Sequence, residues 1–297
     1  MNVNTNTSSD SISLLFSASL SPTPLRVECA GVGIQITILG SGSAGNCALI
    51  ESETTRLLVD AGLSGRQISQ RLALVGRNPD QITGIVLTHE HSDHTRGLGV
   101  LCKNRPIAVY ANRLTAEAVS ADPETQDRVR ISWRLFLTGA SFEIGDFLVE
   151  SFSVPHDAYD PVGFVIRQAV TGLAVGVLTD LGHATKLATE RVRTANVLVL
   201  EANHDLKLLQ EDTARPWATK QRIMSRHGHL SNDAAATLAG EIASDKLRHV
   251  FLAHLSRDCN RPELAQHAVA DKLRRIGANH VALTVASQDK PTATVSL

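Results

Sequence analysis

Ile82-Thr83-Gly84-Ile85-Val86-Leu87-Thr88-His89-Glu90-His91-Ser92-Asp93-His94 joins an apolar run to a dense cluster of metal-binding side chains. Ile82 to Leu87 reads as a buried strand, with a new helix beginning at its far end, and strand ends are where α/β folds build sites. Neutral imidazole and carboxylate are borderline ligands suited to zinc, manganese or iron. A lone histidine is most often a packing or surface residue. His89, His91, Asp93 and His94 together can scarcely all be satisfied by packing. Side-chain alternation puts His89 and His91 on one side, toward one ion, and entry into a helix lets Asp93 and His94 face a second.

Working outward, β-rich runs alternate with helical patterns from Ile34 onward, which argues for layered α/β architecture. Strands are expected at Ile34 to Leu39, Cys47 to Ile50 and Arg56 to Asp60, then a helix from Ser64 to Val75 capped by Ser64 and stopped by Gly76. Strand Ile107 to Tyr110 and helix Arg113 to Ser120 follow, then a hairpin turning at Gly145-Asp146 between Phe142 to Ile144 and Phe147 to Val154. Val162 to Ile166, Leu173 to Thr179 and Val197 to Leu200 read as strands, with a helix at Thr185 to Arg193. The chain closes with helix Ser231 to Ala243, strand Val250 to Ala253, helix Pro262 to Ile276 and strand His280 to Thr284. With no repeat, linker or low-complexity tract after residue 33, one domain is expected over 34–297 and a flexible extension over 1–33.

The bulk numbers remove several function classes. A chain of 297 residues, 43% hydrophobic and 20% charged, has the composition of a soluble globular protein. Lys and Arg number 29 against 30 Asp and Glu, a formal net charge of -1, so any site for a polyanion is local. Cys29, Cys47, Cys102 and Cys259 form no CxxC pair, which fits reduced thiols and makes them weak zinc ligands. The apolar run Ser13 to Leu20 is not preceded by the Lys or Arg of a secretory signal, and no later run approaches the roughly 18 residues of a membrane span. The reading is cytoplasmic with no membrane, and whether the chain forms a homo-oligomer is left open.

Three later polar residues each follow an apolar run: His156 after Ser153-Val154-Pro155, Asp180 after Val177-Leu178-Thr179, and His254 after Val250-Phe251-Leu252-Ala253. With His89-x-His91-x-Asp93-His94, the set resembles the metallo-β-lactamase superfamily of binuclear hydrolases, over almost everything after residue 33. Leu39-Gly40-Ser41-Gly42-Ser43-Ala44-Gly45-Asn46, Glu201-Ala202-Asn203-His204-Asp205, Gly228-His229-Leu230-Ser231-Asn232 and His254-Leu255-Ser256 resemble its YycJ/WalJ-type branch, which is associated with exonuclease activity on DNA. The resemblance implies an αββα sandwich with two mixed sheets packed face to face and helices outside. It further implies that His89, His91 and His156 hold one ion, Asp93, His94 and His254 the other, and that Asp180 bridges them. Two divalent ions, zinc or manganese, can generate a bridging hydroxide and stabilise the attacking and leaving oxygens. Their net positive centre suits an anionic phosphodiester.

Glycines 40, 42 and 45 with Ser41, Ser43 and Asn46 could present backbone N–H groups to a phosphate, or make only a tight hairpin turn. The stretch lacks the Lys-[Ser/Thr] of a P-loop. Ser231 is a candidate N-cap, while His229 beside a helix N-terminus could hold a scissile phosphate or protonate a leaving oxygen. That segment resembles the phosphate-contacting His segment of RNase J-type nucleases. The candidate catalytic groups are thus Asp93, His229 and His204, and the candidate substrate-binding groups Ser41, Ser43, Asn46, His229 and Ser231. Glu201, Asn203 and His204 could orient the ligating histidines, and Asp205 could equally be an ordinary cap. Lys220, Arg222, Arg226 and His227 could supply a local positive stripe, although such runs are commonly a solvated helix face. The leading expectation is a phosphodiesterase or exonuclease acting on DNA or RNA. The alternatives are a thioester or lactone hydrolase of the glyoxalase II type and a non-catalytic scaffold. His91 stands where oxygen-reducing diiron relatives carry Glu, which disfavours redox chemistry.

Overall fold

Alternation along the strands decides which layer each side chain enters. In the first strand, β1 (Gln35–Gly40), Ile36 and Ile38 join one buried cluster and Leu39 joins another. The computed structural model describes residues 33–122 and 130–297. The expected extension over 1–33 lies outside the described residues except for Gly33.

Among the described residues the strands form two seven-stranded sheets. The first contains β1, β2 (Cys47–Glu51), β3 (Arg56–Val59), β4 (Gly84–Val86), β5 (Ala108–Asn112) and β6 (Ser132–Phe136) in that order. It is closed on the β1 side by β14 (Val295–Ser296). The second runs β7 (Ser141–Ile144), β8 (Phe147–Ser153), β9 (Val162–Gln168), β10 (Ala174–Leu178), β11 (Val197–Glu201), β12 (His249–Ala253) and β13 (Ala282–Val285). Both sheets are mixed, and each changes once: pairing is antiparallel up to β3 and parallel beyond it, antiparallel up to β10 and parallel beyond it.

Ile36, Ile50, Val59, Phe164, Val177, Val199 and Phe251 meet between the sheets. Each such fully buried side chain contributes about 1.5–3 kcal/mol relative to exposure. The outer face of the first sheet is covered by α1 (Gly65–Leu74), α3 (Leu98–Leu101) and α4 (Arg113–Ala121), through Ile68, Leu72, Leu101 and Val119. The second is covered by α5 (Lys186–Val192), α8 (Asn232–Ile242) and α9 (Pro262–Arg275), through Val192, Leu238 and Val269. This is the four-layer αββα sandwich. No helix among the described residues is long and apolar enough to cross a membrane.

Helix α1 has the expected ends: Ser64 and Gln67 form a reciprocal capping box, and Gly76 follows with φ of 71°. Elsewhere the boundaries move. β4 is shorter than Ile82 to Leu87 because Ile82 still closes the turn Pro79–Gln81. The expected strand His280 to Thr284 begins only at Ala282, after a turn in which Val281 N–H donates to Ala278 O. β6 and β14 were not expected as strands, and α6 (Leu206–Glu211) and α7 (Trp217–Ile223) were signalled only by the candidate cap Asp205 and the basic run from Lys220.

Candidate metal centre

The carboxyl ends of the strands converge on one end of the sandwich, the place where sheets that switch pairing direction bind ligands. Beyond β4, Leu87 and Thr88 lead into His89 to His94, where the short helix α2 (Ser92–Thr95) begins after His91. His156 follows β8, Asp180 follows β10, and His254 follows β12 directly. The structure brings these distant residues together. His89, His91 and His156 form one group with ligand atoms within 4.8 Å of one another; Asp93, His94 and His254 form a second, and Asp180 forms a third with His89 and His94. The His89 ring centroid stands 4.5 Å from that of His91, 4.2 Å from His94 and 5.1 Å from His156.

Two of these residues have left-handed backbone, Asp180 (φ 58°) and His254 (φ 56°), as does Asp60 (φ 61°) after β3. Such a conformation costs a non-glycine residue about 1–3 kcal/mol and persists where the surroundings impose it. Here they do. His254 N–H donates to Ser41 Oγ at 2.8 Å while its carbonyl accepts from Asn203 Nδ2 at 2.9 Å. The N–H of Leu181, next to Asp180, donates to Glu201 Oε2 at 3.1 Å.

Four imidazoles are fixed through Nδ1. His89 meets Thr88 Oγ1 at 3.0 Å, His94 meets Asp60 Oδ2 at 2.8 Å, His156 meets Gly228 O at 3.1 Å, and His254 meets Glu201 Oε1 at 2.8 Å. Outer partners of this kind orient metal-binding histidines. Holding Nδ1 turns Nε2 inward, and His89 Nε2, His156 Nε2 and Asp180 Oδ2 are buried without any hydrogen-bond partner. A buried orphan polar atom costs about 1–3 kcal/mol, so three converging ones fit a site built for cations. Charge agrees. Burial holds the His89 pKa well below its ordinary value, keeping the ring neutral and able to donate a lone pair. Burial opposes ionisation of Asp93 and Asp180, but for Asp93 His94 and His254, and for Asp180 His254 and His94, outweigh it and hold both carboxyls low.

His229 joins the rim. Its Nδ1 lies 2.8 Å from Glu201 Oε1, its ring centroid 5.1 Å from that of His156 and 5.2 Å from that of His254, and its side chain is 21% exposed. Burial disfavours the imidazolium, but Glu201 outweighs it and raises the pKa. Glu201 also accepts from Leu230 N–H at 3.0 Å, so one carboxylate ties His229, His254 and both loops together. His204 is buried within the field of Glu201 and His229, its Nδ1 has no hydrogen-bond partner, and burial lowers its pKa to about 4. Asp205 caps α6, accepting from Leu208 N–H at 2.9 Å.

Ser41 and Asn46 are buried and bonded to each other at 2.9 Å, with Asn46 Nδ2 3.2 Å from His94 Nε2, so they line the centre from behind. Ser43 is exposed on the same loop. Ser231 Oγ accepts from Ala234 N–H at 3.2 Å as the N-cap of α8. The positive stripe is spent on internal partners: Lys220 is buried and donates to Gln210 O at 2.8 Å, Arg222 pairs with Asp157, and Arg226 reaches His183 at 3.3 Å. Asp60 is a site residue the sequence did not disclose. Its only signal was a carboxylate at the end of an apolar run, the same signal that marked Asp180.

The chain belongs to the β-lactamase superfamily: the family described as "Beta-lactamase superfamily domain" matches residues 55–255. Within it, the chain falls in the YycJ/WalJ branch. It is 36% identical to a Bacillus anthracis protein named exodeoxyribonuclease YycJ, over 82% of this chain and 90% of that one. It is also 36% identical to exodeoxyribonuclease WalJ of Streptococcus pneumoniae, over 82% of this chain and 89% of the relative. The metallo-β-lactamase fold protein YhfI of Bacillus subtilis shares the fold at a TM-score of 0.65 and 17% identity, covering 87% of this chain and 99% of that one.

Proposed function

We propose that this chain is a phosphodiesterase that shortens DNA from its ends in the cytoplasm. His89, His91 and His156 would hold one of two divalent ions, zinc or manganese, Asp93, His94 and His254 would hold the other, and Asp180 would be available to both. The observation that carries this reading is the convergence of the buried, unpartnered His89 Nε2, His156 Nε2 and Asp180 Oδ2 beside the Asp93, His94 and His254 group. The assignment to DNA rests on relatives named exodeoxyribonucleases that match over most of their length.

Such ions, when bound, supply a nucleophile from water at neutral pH and offset phosphodiester charge. The chain's own groups supply orientation and a proton. Thr88, Asp60, Gly228 and Glu201 lock the imidazoles before substrate arrives. His229 is held through Nδ1 by Glu201 and makes no hydrogen bond through Nε2 among the described residues, which leaves Nε2 to donate to a phosphate or leaving oxygen. The raised pKa of His229 keeps that proton available.

End-labelled oligodeoxynucleotides incubated with the manganese- or zinc-loaded protein should shorten progressively from one end. No cleavage by protein shown to be metal-loaded rejects the proposal. Rapid hydrolysis of a thioester or lactone with DNA untouched transfers the site to small-molecule chemistry.

A further inference from the structure

A cavity of about 510 Å³ opens beside the metal centre and shares a wall with it. Its inner end is Ser41, whose Oγ accepts the His254 N–H at 2.8 Å. One side begins at the residue after that ligand, Leu255, and continues through Arg257 to Arg261 at the start of α9. The other is the end of β13, Val285 and Ala286, followed by Asp289 and Lys290. Gln288 fastens this side to the glycine-rich loop, accepting from Ala44 N–H at 2.9 Å and donating to Gly45 O at 2.8 Å. The cavity is therefore held in register with the centre.

Its lining has two chemistries. Leu255, Val285 and Ala286 give it an apolar floor. Arg257, Arg261 and Lys290 stand against a single carboxylate, Asp289, which pairs with Arg257 across the mouth. Arg261 binds only main-chain carbonyls, those of Arg257, Asp258 and Asn260, and Lys290 has no partner among the described residues. Unspent positive charge beside a flat apolar floor matches a nucleotide: an aromatic face to cover and an anionic backbone to neutralise. In a chain of net charge -1, in which Arg222 near His229 is already paired with Asp157, it is a local source of that charge.

Resting on the phosphodiesterase reading, we infer that this cavity is the subsite for a nucleotide flanking the scissile bond. The base lies on Leu255, Val285 and Ala286, Lys290 and Arg261 face its phosphate, and Ser41 at the inner end is the wall between this subsite and the metal centre. The amide side chains that could read a base edge are occupied, and the Ser256 and Ser287 hydroxyls accept from the Cys259 and Asp289 N–H groups. Gln288 is held by the glycine-rich loop, and Asn260 by Asn232 and by the carbonyls of Ala202 and Asn203. Binding is therefore tolerant of base identity.

Equilibrium dialysis of labelled deoxyadenosine monophosphate against the metal-loaded protein tests this directly. Affinity should fall at least about tenfold in Lys290→Glu, which changes an exposed residue and leaves the fold alone, and in Val285→Trp, which fills the floor. Deoxythymidine monophosphate should bind the native protein within about threefold of the adenine nucleotide. Undiminished binding by both variants, or binding of the nucleotide no tighter than inorganic phosphate, overturns the inference. Hydrolysis of bis(4-nitrophenyl) phosphate by the native protein separates the two ideas. If it is hydrolysed while the variants bind nucleotide normally, only the subsite falls. If neither it nor oligonucleotides are cut while nucleotide binding remains sensitive to Lys290, only the phosphodiesterase reading falls.

Discussion

Asp60 and Asp180 hold matching places in the two halves of the sandwich. Each follows the strand at which its sheet passes from antiparallel to parallel pairing, and each has left-handed backbone, with φ of 61° and 58°. Each is followed two residues later by a glycine that lets a neighbouring loop pass. A Cβ on Gly62 would stand 1.5 Å from Asp93 O, and one on Gly182 would stand 2.3 Å from Arg226 C. Each then leads into a helix capped by a hydroxyl, Ser64 for α1 and Thr185 for α5. The carboxylates have opposite fates. Asp60 accepts from Thr88 N–H at 2.8 Å and meets His94 Nδ1 at 2.8 Å, behind the ligands. Asp180 Oδ2 lies 3.2 Å from His94 Nε2 without hydrogen-bond geometry and faces the centre.

The neighbouring strand makes the difference. Beyond β4 the chain brings Thr88 and His94 over Asp60 and saturates it. At the end of β11 it brings Glu201, which takes the Leu181 N–H itself, while Asp180 Oδ2 stays without a hydrogen bond. One backbone device thus delivers a carboxylate to each sheet end, and what the next strand supplies decides whether it is filled with hydrogen bonds or left facing the centre.

Exchanging these fates is the severest challenge to the comparison. Asp180→Ala should abolish DNA cleavage and lower metal content, a loss beyond the roughly 10–100-fold expected for an orienting group. Asp60→Asn keeps the shape but offers an amide N–H where His94 Nδ1–H needs an acceptor. It should lose about 10–100-fold in metal affinity or activity, with activity partly restored at high metal concentration. Metal titration of both purified variants decides the matter. If Asp60→Asn loses as much as Asp180→Ala and excess metal restores neither, the two carboxylates do not differ in kind.

The same contrast explains how much was readable. His89, His91, Asp93 and His94 sit within six residues of chain, and no packing pattern explains them away, so the first sheet's candidate ligands were legible as a unit. His156, Asp180 and His254 arrive singly, each marked only by its place after an apolar run. Asp60 carries that mark too, yet its role depends on Thr88 and His94 folding over it, a contact no local pattern encodes. Most sheet strands were legible because alternation is a local property. β14 was not, because two residues show no period and its partner β1 lies some 260 residues away in the chain. The partners of Lys220, Arg222 and Arg226 were equally invisible, being tertiary contacts of long polar side chains.

The smallest expected effect separates a cap from a contact. Ser64 and Ser231 both cap helices, one in each half, accepting from Gln67 N–H at 3.3 Å and Ala234 N–H at 3.2 Å. Removing either hydroxyl deprives a helix N-terminus of one acceptor, which costs about 1 kcal/mol. Ser64 starts a helix on the outer face of the first sheet, whereas Ser231 stands two residues from His229, so only Ser231 has a second role available. If capping is all it does, Ser64→Ala and Ser231→Ala should lower stability by similar amounts and leave KM for an oligonucleotide alike. A several-fold rise in KM confined to Ser231→Ala, at matched stability loss, would show that the hydroxyl also touches substrate. Urea unfolding alongside steady-state kinetics on both variants gives the answer, with Ser64→Ala as the internal reference.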